Sequence, residues 1–398
     1  MTHNCKYSLI KYLIVFLLLG SSFFVTGQQE KPVNVGLSIS IHSKVLNEDR
    51  TILIYLPEGY QESSVTYPVV YLMDAETHWL HMGSTIGFLS LLGEMPKVII
   101  IGITNSDRAR DMTPHPAVPD KDFPNGGGSE LFLTFINKEL KPYIKAHYRT
   151  DPFAILAGTS LSGLFVINTF ITQPDAFNAY MAASPALWWD SKAVMYKAEK
   201  ILKTSFRNNR FLFVSLCDGD SKALQESTRY FMKDLEDRPL DSLHWQYLYI
   251  PKENHNSSPL KSFYAGFQWL YEGWQPKSLN TLEGLQQHYQ FLSKRYEYSI
   301  SIPETEVNNL GYSLLFSDKK QQSIEVFKMN TEKYPNSPNA WDSLGDAYKF
   351  NNQFDLAKNC YEKGCALGKQ TNDINTPSMC SNLVEINKII EQKKHKKD

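Results

Sequence analysis

Four runs of almost unbroken apolar residues limit the folds that this chain can adopt. They are PVVYLM at Pro68–Met73, KVIIIGI at Lys97–Ile103, FAILAG at Phe153–Gly158 and RFLFVSL at Arg210–Leu216. A strand that is apolar on both faces is typical of the centre of a parallel sheet, because helices cover both of its sides. The segments between the runs have helical periodicity, and the longest extends from Ser129, a predicted N-cap, to Tyr148. These features predict an open, doubly wound α/β sheet.

Two further segments are expected to belong to the sheet. A hairpin is predicted from Val35 to Leu56, where apolar and polar residues alternate on both sides of a polar turn. Another strand is predicted in HWQYLYIP, residues 244–251. Ligands of such sheets bind beyond the carboxyl ends of the strands. The long irregular segment Asn105–Ser129 follows one of the apolar runs, so we expect it to form a wall of the site.

The first 27 residues are predicted to be a secretory signal peptide. Lys6 and Lys11 precede an apolar run from Tyr12 to Val25, and small residues follow up to Gly27. A single membrane anchor is the competing interpretation, but the apolar run is short for a spanning helix. We therefore expect export to the periplasm or the extracellular space, without a membrane span after cleavage. The formal net charge of −1 gives no indication of a nucleic-acid partner.

The chain after Trp274 contains an internal repeat. The equivalent positions, each 34 residues apart, are Leu310 and Leu344, Gly311 and Gly345, Ser323 and Ala357, and Phe327 and Tyr361. The pattern resembles the tetratricopeptide repeat, which implies a small all-α helical module. A stack of two repeats leaves apolar ends exposed, so we expect this module to pack on the sheet, on a second copy of the chain or on a protein partner.

The segment GTSLSG, residues 158–163, raises the question of which of its two serines carries chemistry. It follows an apolar run and precedes a helix-like segment, as does the G-x-S-x-G turn that presents a nucleophilic serine. Such a strained turn needs small residues two positions before and two positions after the serine. For Ser160 these positions hold Gly158 and Ser162; for Ser162 they hold Ser160 and Leu164. The spacing favours Ser160 as the nucleophile, and a simple polar turn capped by Ser162 is the alternative.

A candidate acid and a candidate base follow in the chain order Ser, Asp, His that such hydrolases use. The segment CDGDS after the fourth apolar run offers Asp218 and Asp220, and the polar loop KENHNSS offers His255. We favour Asp220, because Asp218 directly follows the strand and is a candidate for shaping the turn; both assignments stay open. The set predicts acyl transfer, with His255 as the base for Ser160 and the aspartate fixing the imidazole.

The oxyanion of such a reaction needs hydrogen-bond donors that are placed in advance. The backbone N–H of Leu161, next to the candidate nucleophile, is one candidate. The second is expected after the first apolar run, where YLMDAETHW places Asp74 and Ala75, and the small side chain of Ala75 leaves its backbone approachable.

The cysteines do not predict a metal site or a cofactor. Cys217, Cys360, Cys365 and Cys380 follow the predicted signal peptide, and their spacing is not that of a metal site. Cys360 and Cys365 point to different faces of a predicted helix, so we expect buried free thiols. We expect no metal and no cofactor.

Several stretches together resemble esterases of the esterase D type, which have the α/β-hydrolase fold. That family includes enterochelin (siderophore) esterases, feruloyl esterases and S-formylglutathione hydrolases. The resemblance covers about Lys44–Trp274, and the stretches are YPVVYLMDAE, VIIIGITNSDRARDMTP, GGGSELFLTFINKELKPYI, AGTSLSGLF, ASPALWWD and ENHNSSP. It implies Ser160 as the nucleophile, His255 as the base and an acid at Asp220, with the oxyanion loop after YLMD.

The serine turn departs from the pattern of this family. Members usually carry His at the position of Thr159 and Gly at the position of Ser162. Taken together, these features predict four regions: a signal peptide at 1–27, a hydrolase domain at 28–276, a linker helix region at 277–302, and repeats with a capping helix and a basic tail at 303–398.

The substrate is the least determined part of the prediction. Asp74, Arg108 and Arg110 are candidates for the substrate pocket, the two arginines as partners of an anionic group. Trp188 and Trp189 are candidates for stacking on an aromatic or sugar ring. Structural roles, such as an Arg110–Asp111 ion pair, are the alternative for each. The leading prediction is an exported serine carboxylesterase acting on a siderophore, feruloyl or carbohydrate ester; the alternatives are an inactive scaffold that binds through its repeats and an acyltransferase.

Overall fold

One sheet organises the chain from Gly36 onward. The computed structural model describes residues 35–61, 64–201, 206–237, 240–276 and 281–394, so the predicted signal peptide lies outside the described residues. Within these ranges the strands are β1 (Leu37–Ser43), β2 (Glu48–Tyr55), β3 (Tyr67–Leu72), β4 (Ile99–Ile103), β5 (Thr150–Thr159), β6 (Ala179–Ala183), β7 (Arg210–Cys217) and β8 (Leu243–Ile250). Their order across the sheet is β1-β2-β4-β3-β5-β6-β7-β8.

Helices follow most of the strands and continue beyond the last one. They are α1 (Ala75–Leu91), α2 (Arg108–Met112), α3 (Ser129–Phe135), α4 (Lys141–His147), α5 (Leu161–Thr172), α6 (Trp189–Ile201), α7 (Lys222–Asp237), α8 (Ser258–Leu270), α9 (Leu282–Tyr296), α10 (Glu304–Phe316), α11 (Lys320–Lys333), α12 (Pro338–Phe350), α13 (Phe354–Thr371) and α14 (Thr376–Lys394). A π-helical turn, Ile136–Leu140, joins α3 to α4. The helix predicted from Ser129 is present, but Gly128 is its N-cap and Ser129 is its first residue, which corrects the predicted cap.

The four apolar runs form β3, β4, β5 and β7, as predicted. The predicted hairpin is β1 and β2, which pair antiparallel. Strand β2 is also antiparallel to β4, whereas the remaining neighbours are parallel. Strand β8 lies where HWQYLYIP predicts it. The sheet is therefore mostly parallel and open.

Alternate side chains of the central strands enter two separate cores. In β3, Val69 and Tyr71 enter the first core, whereas Val70 and Leu72 enter the second. Helices α2 to α7 contribute to the first core, and α1 and α8 contribute to the second. Helices thus cover both faces, which is the doubly wound arrangement that the unbroken apolar runs predict.

The helices after Trp274 continue the second core. Leu285 and Leu292 of α9 and Val307 of α10 belong to the same buried cluster as the strands. The Tyr296 hydroxyl donates a hydrogen bond of 2.8 Å to the carbonyl of Leu270. The segment predicted as a linker helix region therefore packs directly beneath the sheet.

Helices α10 to α13 form two hairpins that repeat one packing contact. A Cβ atom on Gly311 would lie 2.5 Å from Cε1 of Phe327, and a Cβ atom on Gly345 would lie 2.6 Å from Cε1 of Tyr361. Both aromatic rings are fully buried. Only glycine allows the first helix of each hairpin to approach the aromatic ring of the second, which is the physical basis of the repeated sequence pattern.

The prediction of free thiols is wrong for two of the four cysteines. Cys365 on α13 and Cys380 on α14 form a disulfide, with 4.9 Å between their Cα atoms. Cys217 and Cys360 are free and buried. The partner of Cys365 comes from the next helix, so spacing along a single helix does not indicate the pair. No helix in the described part of the chain has the length and apolar character needed to cross a membrane.

Candidate active site

Ser160 occupies a strained turn between β5 and α5. Its backbone has φ 56° and ψ −116°, a conformation that is costly for a residue with a side chain. The turn is held by a hydrogen bond from the Ser160 N–H to the carbonyl of Ala183 and by one from the Ala186 N–H to the Ser160 carbonyl, both 3.0 Å. This strand, strained serine and helix are the geometry of a nucleophile elbow.

Close packing explains the small residues around this turn. A Cβ atom on Gly158 would lie 2.6 Å from the carbonyl oxygen of Ser162, so no larger residue fits there. A Cβ atom on Gly163 would lie 3.0 Å from Cα of Pro185. The helix therefore approaches the strand closely even though Ser162 stands where the resembling family has glycine.

The second serine of the motif is structural in this fold. Ser162 is fully buried, and its Oγ accepts a hydrogen bond of 2.8 Å from the backbone N–H of Thr159. The hydroxyl donates to Oδ2 of Asp74 at 2.7 Å, and the carbonyl of Thr159 is a second acceptor within reach. A hydroxyl bound in this way cannot approach a substrate.

His255 contacts Asp220 through a short hydrogen bond. Its Nδ1 lies 2.6 Å from Oδ1 of Asp220, whose side chain is fully buried. The other oxygen, Oδ2, accepts from Oγ of Ser184 at 2.7 Å and from the backbone N–H of Cys217 at 2.8 Å. Burial raises the pKa of Asp220, but the hydrogen bonds from His255, Cys217 and Ser184 outweigh it, so the pKa lies below its ordinary value. The carboxylate is ionised and fixes the imidazole.

Asp218 stabilises the turn that follows β7 through hydrogen bonds. Its carboxylate accepts from the Tyr249 hydroxyl at 2.6 Å and from the backbone N–H of Lys252 at 2.7 Å. These two hydrogen bonds tie the end of β7 to the end of β8. Of the two candidate acids, Asp220 is the one that contacts His255.

Ser160 and His255 line the same cavity, which has a volume of about 330 Å³. The cavity lies beyond the carboxyl ends of β3 and β5. Ala75 and Leu161 are the first residues of α1 and α5, so their backbone N–H groups lack acceptors within their own helices. Both helices begin next to residues that line the cavity, Asp74 for α1 and Ser160 for α5. This arrangement suits the stabilisation of a developing oxyanion.

An ion pair between Asp74 and Arg108 forms another wall of the cavity. Nε and Nη2 of Arg108 donate to the two carboxylate oxygens of Asp74, each at 2.8 Å. Burial raises the pKa of Asp74, but Arg108, Asn105 and Ser162 lower it by more, so it lies below its ordinary value. The Arg108 side chain is 37% exposed, so the guanidinium can still contact a ligand.

Arg110 does not belong to the site, which corrects its prediction as a substrate residue. Its Nη1 and Nη2 donate to the carboxylate of Glu48 at 2.9 and 2.6 Å, and its Nε donates to Asp111 at 2.7 Å. Arg110 is the main cause that lowers the pKa of Glu48 to about 2. The hydrogen bonds of the Arg110 guanidinium connect α2 to β2.

The two tryptophans are not stacking surfaces of this cavity, which corrects the second substrate prediction. Trp189 is fully buried, and its Nε1 donates to the carbonyl of Pro114 at 3.1 Å. Trp188 is half-buried and packs near Phe123, with 6.3 Å between ring centroids. Neither ring is among the described residues that line the Ser160 cavity. Both cover the first core instead.

Several cavity residues were not singled out in the sequence prediction, although Asn105 and Arg108 belong to the segment predicted as a wall of the site. The cavity is also lined by Glu76, Thr77, His78, Asn105 and Asn256. The first three lie in the first turn of α1, directly after the predicted oxyanion residue. That position is the signal that sequence analysis could have used, because the first turn of a helix that starts at a site faces the site. The residues that the structure describes contain no group of three potential metal ligands.

Comparison with known proteins relates this chain to one family. The model of the family described as "Putative esterase" matches residues 43–281. The ferri-bacillibactin esterase BesA of Bacillus subtilis is 31% identical over 196 residues, which are 44% of this chain and 67% of BesA. The siderophore enterobactin esterase of Emericella nidulans is 32% identical over 124 residues, 26% of this chain, and the match covers only 40% of that relative. An IroE-like serine hydrolase from Shewanella oneidensis has a solved structure with a TM-score of 0.66 and 29% identity, covering 75% of this chain and 98% of the other.

Proposed function

The chain belongs to the family described as "Putative esterase", and on that premise we propose that it is an exported serine esterase that cleaves a siderophore ester. It is a carboxylic ester hydrolase. One observation carries the proposed mechanism: Ser160 and His255 line one cavity, and His255 is held by the buried carboxylate of Asp220 at 2.6 Å. This contact and the chain order Ser, Asp, His support the assignment of the three residues as a catalytic triad.

The proposed reaction proceeds through an acyl-enzyme. The Nδ1–H of His255 donates to Asp220, which leaves Nε2 free to take the proton of the Ser160 hydroxyl. The Ser160 oxygen attacks the ester carbonyl, and the tetrahedral intermediate collapses as His255 gives that proton to the departing alcohol. Water then attacks the acyl-enzyme by the same proton transfers in reverse order and releases the acid. Asp220 stays ionised throughout and stabilises the imidazolium.

The proposed oxyanion hole consists of two backbone N–H groups. Leu161 follows the nucleophile and begins α5, and Ala75 begins α1. Their N–H groups would donate to the carbonyl oxygen as it gains charge, and the dipoles of the two helices favour the same charge. Asp74 is in the left-handed conformation, with φ 52°, immediately before Ala75. This conformation turns the chain from β3 into the helix at the point where the donor is needed.

The proposed substrate class comes from the relatives. BesA and the Emericella nidulans protein are esterases of ferri-bacillibactin and of enterobactin, respectively. The polar lining of the cavity, with Asn105, Arg108 and Asn256, offers hydrogen-bond partners to a substrate rich in amide and hydroxyl groups. An ester of a siderophore fits this lining better than a purely aliphatic ester.

Export is proposed on two independent grounds. The first 27 residues have the charge and apolar pattern of a signal peptide. Cys365 and Cys380 form a disulfide, and disulfides persist in oxidising compartments.

The C-terminal helices are proposed to be a tetratricopeptide-type module. The 34-residue spacing of the two glycine–aromatic contacts supports this assignment, and α14 is the proposed capping helix. We further propose that the module binds a protein partner or a second copy of the chain through its open end.

The proposed function can be tested with the purified chain. We expect hydrolysis of enterobactin or bacillibactin, measured by chromatography of the released acid and alcohol fragments. Methyl ferulate and p-nitrophenyl acetate serve as comparison esters. A fluorophosphonate should label Ser160, as found by peptide mass spectrometry, and Ser160→Ala should abolish both labelling and hydrolysis. Hydrolysis of every siderophore at no more than the rate of methyl ferulate would argue against the substrate class, and labelling at Ser162 would argue against the nucleophile.

A further inference from the structure

Two histidines of α1 form a pair beside the candidate active site. Nδ1 of His78 lies 2.8 Å from Nε2 of His81, and their rings are nearly perpendicular, with 5.0 Å between centroids. Both rings pack near Phe263 of α8, each with a centroid distance of 6.1 Å. His78 is 5% exposed and lines the cavity that contains Ser160, whereas His81 is half-buried and is not among the described residues that line it. The pair therefore connects a cavity wall to the packing between α1 and α8.

Burial favours the neutral form of both imidazoles. Burial lowers the pKa of His78, and the opposing charge of Asp74 does not restore it. Burial, together with the neighbouring His78, lowers the pKa of His81 to about 4. In a neutral imidazole one nitrogen is a donor and the other is an acceptor. The contact between the two rings therefore contains one N–H and one lone pair.

Burial determines which ring supplies that N–H. Nδ1 of His81 is inaccessible to solvent and has no hydrogen-bond partner. If His78 donated to His81, this isolated nitrogen would carry a hydrogen without an acceptor, and a buried unpaired N–H is the rarer and costlier state. In the opposite arrangement Nε2–H of His81 donates to Nδ1 of His78, and only a lone pair is left unpaired. That arrangement places the remaining hydrogen of His78 on Nε2.

We propose that His78 presents a fixed, uncharged Nε2–H donor to the cavity, where it selects esters that carry a second oxygen acceptor near the scissile bond, in addition to the ester's own oxygens. This inference rests on the proposed function and names a specificity-determining residue for it. His81 is a positioning residue, because it sets the tautomer of His78 without lining the cavity. The selected group is a carbonyl or hydroxyl oxygen in addition to the oxygens of the ester itself; amide-linked siderophores have such a group and simple alkyl esters do not.

The selection can be measured with two pairs of esters matched in length. p-Nitrophenyl N-acetylglycinate and p-nitrophenyl pentanoate differ by an amide, and so by an added carbonyl acceptor, in the acyl arm. The butyrates of N-acetylethanolamine and of 1-pentanol differ by the same amide in the alcohol arm. In one of the pairs we expect kcat/KM of the full chain to favour the acceptor-bearing ester by about tenfold, the size of a neutral hydrogen bond. His78→Leu should remove that preference, and His78→Gln should retain it, because the glutamine amide can place an N–H near the same point.

The control variant is His42→Leu, on the exposed strand β1, which should leave the ratio unchanged. A ratio that is the same in His78→Leu and the unaltered chain for both pairs would overturn the proposal. A His78→Gln variant that loses the preference as fully as His78→Leu would also overturn it, because ring packing would then be the cause.

The tautomer of His78 can also be observed directly in the unaltered chain, so this test does not require that the His78→Leu variant folds. Nitrogen NMR of the ¹⁵N-histidine-labelled chain, with His78→Gln used to assign the signal, should find His78 protonated at Nε2. A signal from the Nδ1-protonated tautomer would contradict the argument. Hydrolysis of p-nitrophenyl pentanoate and its loss in Ser160→Ala test the proposed function separately from the ratio.

Discussion

Replacing Asp220 by asparagine should trap the candidate base in the wrong tautomer. One carboxylate oxygen accepts Nδ1–H of His255 at 2.6 Å, and the other accepts from Ser184 and from the backbone N–H of Cys217 at 2.7 and 2.8 Å. The backbone N–H can only donate, so asparagine keeps its oxygen on that side and turns its NH₂ toward His255. Nδ1 of His255 must then accept, which places the proton on Nε2. That is the nitrogen that the proposed mechanism needs free for Ser160.

The expected loss follows from this geometry. An imidazole that carries its hydrogen on the wrong nitrogen cannot accept the serine proton, which costs on the order of 10³–10⁴ in kcat in a serine triad. This corresponds to about 4–5.5 kcal/mol at the transition state. Asp218→Asn is the matched control, since Asp218 contacts Tyr249 and Lys252 rather than His255. We expect the control to lose less than about tenfold.

The assay is kcat and kcat/KM for p-nitrophenyl butyrate, with circular dichroism to verify that each variant is folded. A folded Asp220→Asn variant that keeps more than a tenth of the activity would refute the tautomer argument. Equal losses in the two variants would mean that the turns after β7 and β8, rather than the tautomer of His255, determine the rate.

Three further changes test other parts of the structure. Ser162→Ala should lower the free energy of unfolding by about 1–3 kcal/mol in denaturant titrations, because buried Asp74 loses a donor, while fluorophosphonate labelling at the elbow persists; loss of labelling would contradict this. A chain ending at Pro276 should not fold, because it lacks the buried apolar side chains of α9 and α10, and burial of each such side chain contributes about 1.5–3 kcal/mol to stability. A chain ending at Lys333 keeps these helices and should fold and hydrolyse p-nitrophenyl acetate. A folded, active chain ending at Pro276 would show that α9 and α10 are dispensable. Burial raises the pKa of Asp342 to about 6, so the folded state binds its proton more tightly than the unfolded state, and this contribution to stability is lost as pH rises through 6. Asp342→Asn should remove that dependence from thermal unfolding between pH 4 and 8; an unchanged profile would exclude Asp342 as its source.

The central strands that sequence analysis identified, β3, β4, β5 and β7, carry apolar side chains on both faces. Strand β4, with Ile99 to Ile103, is an example in which burial on two sides leaves a clear signal. Strand β6 was not predicted, because AYMAA consists mainly of alanine and spans only five residues. It is nevertheless fully buried, since β5 and β7 pair with it on both sides. Its position depends on these neighbours more than on its own composition.

The candidate triad was predictable because each residue follows a recognisable strand. The substrate residues were harder, because a charged side chain reveals its partner only in three dimensions. Arg110 is bound by Glu48, which lies 62 residues earlier in the chain. Trp189 is buried by the loop that contains Pro114. His78 is difficult to identify from the sequence for a different reason. A residue on the buried face of a helix is usually part of the core, so its position does not suggest that it lines a cavity.

The continuation of the second core into α9 and α10 affects the order in which the chain can fold during synthesis. The triad candidates are complete once His255 has been made, yet the face of the sheet beneath α1 and α8 still lacks Leu285, Leu292 and Val307. Domains generally fold as units when their last core residues leave the ribosome. The nascent chain therefore carries all of its proposed catalytic groups before it can assemble them, and we expect activity only after α9 and α10 have also been made.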